Sequence, residues 1–287
     1  MGAARAALAR VDGAQLAGVT NIVARSARGA QLAGVVNLAQ HRFEGAQLAG
    51  VVNVNQGEMQ GAQLAGVANM AAGRVEGSQI AGIANYAQTL HAGAQIGLVN
   101  VNQSGRGAMI GLINYSGGFS GVPIGLVNVF IDGRMSMVSQ FSHLGDIALE
   151  LKSGTRSVYN VLSVSQATTS SFSRLGWGLG GQWRPTSRLS FDLDLMSSRE
   201  FTVLQRRPCL FCNAQGERIS VRLTTGFKWF GHWLANLSLA SHVLVTDTGA
   251  VAGLTNGLPS SAYLAETTVD GHVWVWPELS LGMEYRF

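Results

Sequence analysis

From residue 131 to the C-terminus, apolar and polar residues alternate one by one along much of the chain. In the segment RLSFDLDLM, Leu193 and Leu195 fall on one parity and Asp192 and Asp194 on the other. A period of two is typical of β-strands whose two faces meet unlike environments. The pattern predicts eight strands, at about residues 134–142, 146–152, 156–165, 174–184, 188–197, 217–230, 233–245 and 272–287.

The two faces of these strands favour a membrane barrel over a soluble sandwich. The apolar face is bulky and carries Trp, Phe and Tyr near strand ends, as aromatic girdles require. The polar face carries charges of both signs, which suits the crowded interior of a small barrel, where Asp192 and Asp194 should pair with Arg or Lys. We expect Leu189, Phe191, Leu193, Leu195, Val221, Leu223, Phe227, Leu279, Leu281 and Met283 to face lipid. We expect Arg188, Asp192, Asp194, Arg218, Arg222, Lys228, Glu278, Glu284 and Arg286 to face the lumen.

The joins between the predicted strands alternate in length. Those at 153–155, 185–187 and 231–232 are short, and those at 166–173, 198–216 and 246–271 are longer. Bacterial outer-membrane barrels alternate short periplasmic turns with longer outer loops, and the join at 143–145 is the exception here. An even strand number puts both barrel ends on the periplasmic side, where the N-terminal half would begin.

The N-terminal half repeats the phrase GAQLAGVVN with small changes. The opening glycine recurs every 16 residues from Gly13 to Gly93, and then at Gly107 and Gly121 with a spacing of 14. Frequent glycine argues against helices, because each interior glycine costs about 1 kcal/mol relative to alanine. The period instead fits a β-solenoid, and eight coils stacked about 4.8 Å apart make a rod of about 40 Å. The asparagines that close the phrases are Asn21, Asn37, Asn53, Asn69, Asn85, Asn100, Asn114 and Asn128.

We expect these asparagines to lie at coil corners, where asparagine tolerates left-handed backbone geometry, and to stack as an amide ladder. A second ladder is expected from Gln15, Gln31, Gln47, Gln63, Gln79 and Gln95. The alternative is an exposed polar face that binds ice or glycans. The Leu-Ala-Gly piece is predicted to be a corner or a bulge, because the chain tolerates a deletion there. The variable spacers are predicted to be solvent-facing edges. His41 and His91 lie in these spacers and are interpreted as surface residues rather than metal ligands.

Composition changes near residue 130. Residues 1–130 hold 22 of the 37 glycines, whereas residues 131–287 hold all six tryptophans. We therefore predict a repeat solenoid over 1–130 and an antiparallel barrel over 131–287. The net charge of +4 with no basic run gives no nucleic-acid footprint. Arg5 and Arg10 interrupt the apolar start, so we expect the leader sequence to be missing.

Two motifs resemble known bacterial families. The C-terminal MEYRF, with Tyr285 and Phe287, resembles the terminal strand signal of outer-membrane barrels. The repeats, GAQLAGVVN shortening to GAQIGLVN, resemble those of bacterial surface-repeat-containing proteins, which follow the pattern G-x-Q-x-G-x-x-N. The junction GVPIGLVNVFIDGRMSMV is similar to the passage that ends the repeats there, so the resemblance covers about residues 13–200. It implies a surface or envelope location and brings no functional residues with it.

The chain offers little chemistry of its own. Cys209 and Cys212 form a C-x-x-C in a predicted outer loop, which favours a local disulfide over redox or zinc chemistry. We predict no cofactor and no metal. A lipid hydrolase would need a Ser/His/acid cluster at a barrel rim, and the adjacent Ser241 and His242 should point to opposite faces.

The leading hypothesis is a non-enzymatic structural or interaction protein of the outer membrane, with a barrel anchor that carries a repeat rod. The alternatives are a soluble secreted solenoid adhesin, a plugged small transport barrel and a barrel-type lipid hydrolase. The expected partners are outer-membrane lipid, the barrel-assembly machinery and an unidentified surface or periplasmic protein, and no nucleic acid is expected.

Overall fold

The chain folds as an all-β protein in the computed structural model, which describes residues 3–7, 10–168, 172–202, 217–247, 263–267 and 271–287. It divides into two compact units, residues 1–133 with 154–156, and residues 134–153 with 157–287. The first is a parallel β-solenoid and the second is a closed antiparallel β-barrel of eight strands. The predicted fold class is therefore confirmed.

Each of the first coils of the solenoid contains a seven-residue strand, a corner and a four-residue strand. Every residue pairs in parallel with its equivalent in the next coil, so that Gln31 lies on Gln47 and Asn37 on Asn53. From β9 onward, the short strand runs into the next long strand without a break. The strands are β1 (Ala4–Ala7), β2 (Val11–Ala17), β3 (Thr20–Val23), β4 (Ala27–Ala33), β5 (Val36–Ala39), β6 (Phe43–Ala49), β7 (Val52–Asn55), β8 (Met59–Ala65), β9 (Ala68–Ala81), β10 (Ala84–Ile96), β11 (Val99–Ile110), β12 (Ile113–Ile124) and β13 (Val127–Phe130).

The glycine that opens each repeat bends the longer strand. Gly45 has a φ of 130°, in the region that residues with a side chain rarely adopt. A Cβ atom at this position would also lie 1.9 Å from the carbonyl oxygen of Gly29 in the coil before it. Backbone conformation and close stacking therefore both require glycine here.

The apolar core of the solenoid comes mainly from the variable spacers and not from the repeated phrase. The prediction that the spacers are solvent-facing edges is wrong for the residues that point inward. The phrase fills its inward positions with Gln and Asn, so the apolar filling has to come from the residues between phrases. The core consists of Val23, Ala27, Ala39, Phe43, Met59, Ala71, Val75, Ala87, Leu90, Met109, Phe119 and Phe130.

The shortened coils lose their residue at a corner. Ile96 still pairs with Ile80, and Val99 still pairs with Ala84, so both strands keep their register across the deletion. In the full-length coils the leucine and alanine of the Leu-Ala-Gly piece end a strand, and only its glycine lies in the corner. The corner prediction is therefore correct for the glycine and wrong for the other two residues.

The barrel strands closely match the eight predicted ones. They are β14 (Arg134–Ser142), β15 (Asp146–Gly154), β16 (Val158–Ala167), β17 (Phe172–Trp183), β18 (Leu189–Thr202), β19 (Glu217–Phe230), β20 (Trp233–Asp247) and β22 (Gly271–Arg286). Pairing of β14 with β22 closes the ring. A short strand, β21 (Tyr263–Thr267), lies in the last long join and pairs with the start of β22. The turns at 184–188 and 231–232 and the C-terminus lie at the same end of the barrel, because neighbouring strands are antiparallel.

Candidate functional site

The structure brings all eight predicted asparagines into one column inside the solenoid. Asn53 donates from Nδ2 to Oδ1 of Asn69 at 2.9 Å and to the carbonyl oxygen of Leu64 at 2.7 Å. Its own Oδ1 accepts from Asn37 at 2.9 Å. Because the Leu64 carbonyl only accepts hydrogen bonds, this contact fixes the orientation of the Asn53 amide. Bonds of 2.6–3.0 Å join the whole column, from Asn21 to Asn128.

The predicted corner geometry of these asparagines is wrong. Each is the second residue of a strand segment, and positive φ angles occur only at glycines among the described residues. The buried amide needs strand geometry here, because only an inward-pointing side chain can reach its equivalents in the coils above and below.

A glutamine column runs beside the asparagines with its hydrogen bonds in the opposite direction. Gln63 donates back to Gln47 at 2.7 Å, whereas each asparagine donates forward. The column ends at Gln95, which accepts from Asn102 at 3.0 Å, because the next coil has Met109 at this position. The ladder amides are at most 7% exposed, so the alternative of an exposed ice- or glycan-binding amide face is wrong for them.

The repeated phrase exposes aliphatic side chains instead. In each coil, one of these residues comes directly after the buried glutamine position, and the other comes directly after the glycine of the corner. Stacked coils align them in two columns, and most members are between 36% and 53% exposed. We call these two columns the aliphatic stripe. Its members are Leu16, Leu32, Leu48, Leu64, Ile80, Ile96, Ile110 and Ile124, and Val19, Val35, Val51, Val67, Ile83, Leu98, Leu112 and Leu126.

The outer wall of the barrel is apolar. Leu193, Leu195, Leu239 and Leu281 are each more than half exposed, although they lie on regular, paired strands. All ten residues predicted to face lipid point outward, with Leu189 and Phe191 half-buried. This arrangement is the inverse of a soluble barrel, which would place such side chains in its core.

The middle of the lumen is filled by paired charges. Lys152 lies 3.2 Å from Asp192 and 3.1 Å from Asp194, and Arg222 lies 2.7 Å from Asp194. Tyr159 donates a 2.6 Å hydrogen bond to Asp194. The prediction that Asp192 and Asp194 pair with cations across the interior is confirmed. Further members of this cluster are Arg134, Glu150 and Glu284.

Arg188 and Lys228 do not face the lumen, so that part of the prediction is wrong. Both are exposed at the end of the barrel that carries the short turns. Arg188 lies in a turn, and the pairing of β19 with β20 shifts register between Lys228 and Phe230. At the rim of the barrel, both faces of a strand are in contact with water. A charged side chain there is solvated on either face and does not have to point into the lumen. The other seven predicted lumen residues point inward.

A polar vestibule lies in the lumen toward the ends of the strands that lead into the long joins. Oγ of Ser220 lies 2.6 Å from Nδ1 of His242, and Nε2 of His242 lies 3.2 Å from a carboxylate oxygen of Glu278. Arg174 is paired with Asp146 in the same vestibule. Sequence reasoning missed this Ser–His–Glu row because its members come from three strands. Ser241 is exposed while His242 is buried, as predicted for neighbours on one strand.

Aromatic residues gather at the short-turn end of the barrel. Trp183 stacks on Phe191 with ring centroids 5.6 Å apart, and Trp233 meets Tyr285 edge-on at 5.0 Å. The predicted terminal-signal residues belong to this group, because Tyr285 also contacts Phe287 at 5.2 Å. Aromatic side chains at this end match part of one girdle of a membrane barrel.

The predicted disulfide lies outside the described residues, as Cys209 and Cys212 fall between β18 and β19. Within the part of the chain that the structure describes, there is no apolar helix of membrane-spanning length. The same residues contain no group of three or more His, Cys, Asp or Glu side chains able to hold a metal ion.

No family model matches this chain, and no curated protein matches it significantly. Among solved structures, the outer membrane protein Ail of Yersinia pestis is 11% identical with a TM-score of 0.30, covering 54% of this chain and 99% of Ail. Neisserial surface protein A is 10% identical with a TM-score of 0.28, covering 54% and 94%. A designed transmembrane β-barrel is 6% identical with a TM-score of 0.30, covering 54% and 93%. The similarity is too low to transfer a function from any of these proteins.

Proposed function

We propose that this chain is a non-enzymatic outer-membrane protein, in which the barrel spans the bilayer as an anchor and the solenoid is the part it carries. The observation that supports this is the inverted barrel, with apolar side chains outside and paired charges inside. A continuous apolar outer wall is rare on soluble monomers, whereas lipid-facing strands require one. The aromatic group at the short-turn end fits an interface with lipid headgroups.

The lumen supports an anchor rather than a transport channel. Lys152, Asp192 and Asp194 are each at most 3% exposed, and their ion pairs cross the interior between β15 and β18. Opening a path would leave charges unpaired in a confined space, which costs several kcal/mol. The proposed partners are outer-membrane lipid and the barrel-assembly machinery, which would meet β22 and the Phe287 that follows it.

Tryptophan quenching by lipids tests the proposal, because all six tryptophans lie in the second half of the chain. The full chain is folded into phosphatidylcholine vesicles with brominated acyl chains. Trp177 is on the outer wall and 38% exposed, whereas Trp276 is 1% exposed. We expect Trp177→Phe to reduce the fluorescence intensity that is lost to the brominated lipid. We expect Trp276→Phe to leave that lost intensity unchanged. Absence of quenching, with the protein soluble in water without detergent, would rule out the membrane barrel.

A second candidate function, ester hydrolysis by a serine nucleophile, is favoured by the Ser220–His242–Glu278 row alone. A histidine next to a serine hydroxyl is placed to take its proton, and a carboxylate on the other ring nitrogen orients the imidazole. Labelling with a fluorophosphonate probe decides between the candidates. Labelling that is lost in Ser220→Ala but kept in Ser241→Ala would support the hydrolase, and no labelling would reject it.

A further inference from the structure

The aliphatic stripe repeats more strictly than one of the columns inside the solenoid. All sixteen stripe positions are Leu, Ile or Val. The interior column at the end of each short strand instead varies widely in size and polarity. Its members are Val23, Ala39, Asn55, Ala71, Ala87, Asn102, Ser116 and Phe130. Core packing does not require side chains that lie outside the core, so the uniform stripe needs another explanation.

Charged side chains are kept away from the stripe. Arg28, Glu44 and Arg42 form a surface network with contacts of 2.7 and 2.8 Å. They precede the bent glycine of their coils, whereas the stripe follows it. Only Ala-Gly or Gly separates the two columns within a coil. The solenoid is therefore amphipathic along its length.

In the described coils between the first and the last, the backbone under the stripe is hydrogen-bonded to the neighbouring coils. Gly34 donates to the carbonyl of Ala17 at 3.3 Å, and Val35 donates to that of Val19 at 3.0 Å. The same bonds recur in the following full-length coils, for example from Val51 to Val35 at 3.1 Å. A surface whose backbone is already satisfied can enter an apolar medium without leaving unpaired groups. Along these inner coils it cannot bind an added β-strand through its main chain.

The long, narrow shape of the stripe favours a flat lipid surface as the occupant. Seven coil steps of about 4.8 Å make it about 34 Å long. The columns are three residues apart in a full coil, so their Cα atoms are separated by at most about 11 Å. The stripe is therefore about three times as long as it is wide. A narrow, uncharged, aliphatic strip with charges beyond its edge matches an element that lies in a membrane interface.

We propose that the aliphatic stripe is a lipid-docking surface, which lies on a phospholipid leaflet with its Leu, Ile and Val side chains among the acyl chains. The proposal rests on the proposed function, because a membrane-spanning barrel tethers the solenoid to a bilayer. The attraction is apolar, so docking should occur on uncharged phosphatidylcholine and should persist at high salt.

Spin labels on the full chain test this docking. In a Cys209→Ala/Cys212→Ala background, single labels are placed at Leu64→Cys and Val67→Cys in the stripe. The matched control is Gln60→Cys, an exposed position of the same coil before the bent glycine. A fourth label at Leu193→Cys reports on the barrel. The protein is folded into phosphatidylcholine vesicles, and collisions with oxygen, which enters lipid, are compared with collisions with a water-soluble nickel chelate.

We expect the labels at 64 and 67 to be shielded from the nickel chelate and the label at 60 to be open to it, at low and high salt alike. Equal access of the chelate to 60, 64 and 67 overturns the proposal. Dipolar coupling between copies at 64 also overturns it, because the stripe would then cover a second chain. If the label at Leu193→Cys is open to the chelate, the barrel itself is not in lipid, and the proposed function fails instead.

Discussion

Replacing Asn53 with leucine tests whether the buried amide column stabilises the solenoid. The side chain is fully buried and its Nδ2 donates to Oδ1 of Asn69 and to the carbonyl oxygen of Leu64. In Asn53→Leu both acceptors lose these bonds. A buried acceptor without a donor costs about 2 kcal/mol, so the two together cost about 4 kcal/mol. Burial of the leucine side chain returns about 2 kcal/mol. The net loss of stability is about 2 kcal/mol.

Hydrogen exchange of the full chain, read by mass spectrometry, measures this loss locally. A loss of about 2 kcal/mol raises the exchange rate of the amides in the neighbouring coils about 30-fold, provided that exchange reports the opening equilibrium. Gln60→Leu is the matched control, because it makes a similar change at an exposed position, where effects stay within about 0.5 kcal/mol. If Asn53→Leu and Gln60→Leu accelerate exchange equally, the amide column is not a stabilising element.

Three further outcomes follow. Gly61 has a φ of 126°, and an added Cβ would lie 2.1 Å from a backbone oxygen. Gly61→Ala should therefore lower the stability of the solenoid by at least about 1–3 kcal/mol in the same exchange measurement. Unchanged exchange would refute the stacking constraint. Arg28 donates a hydrogen bond to Glu44 and holds the pKa of that carboxyl below its ordinary value. The resulting stabilisation is present above about pH 4.3 and is lost as the pH falls further. Glu44→Gln should therefore reduce the fall of the thermal unfolding temperature at acid pH. An unfolding temperature that falls as steeply as in the parent would contradict this. Cys209 and Cys212 should form a disulfide, and non-reducing mass spectrometry that finds two free thiols in periplasmically expressed protein would exclude it.

The barrel could be predicted from the sequence because its strands meet two unlike environments. The alternation around Leu193 and Asp194 assigns each side chain to a face without any knowledge of its neighbours. The same rule failed at Arg188 and Lys228, where the barrel ends and both faces meet water. The short strand β21 was not predicted, since it lies inside a long join.

The sequence predicted that the N-terminal half is a repeat solenoid, but not which of its side chains are buried. The usual assumption that apolar residues are buried places Leu48 inside and Gln47 outside, whereas the structure has the reverse. Identical amides in stacked coils bond to one another, so the column can be buried without unpaired groups. The apolar core is then formed by spacer residues such as Phe43. Because the spacer sequence varies from coil to coil, their burial could not be predicted from the repeat.

The Ser220–His242–Glu278 row could not be predicted, because the length of the turn between β19 and β20 does not give the register in which these strands pair. Phe230 pairs with Trp233 across the two-residue turn, and that register would place Ser220 opposite Val243 on the other face. The register shift near Lys228 brings Ser220 opposite His242 instead. A parity argument that required both residues to face inward could have detected the shift.

The most direct test of the membrane barrel is an arginine on its outer wall. Leu193 is 56% exposed and lies four residues inside β18 from the short turn, whereas Phe230 is 77% exposed at the rim. An arginine near mid-membrane costs about 2–4 kcal/mol, and one near an interface costs at most about 1 kcal/mol. Folding into phosphatidylcholine vesicles is read as heat-modifiable gel mobility. We expect Leu193→Arg to lose the folded band, and the parent and Phe230→Arg to keep it. A Leu193→Arg protein that folds as well as the parent, together with a parent that remains monodisperse in water without detergent, would contradict the account.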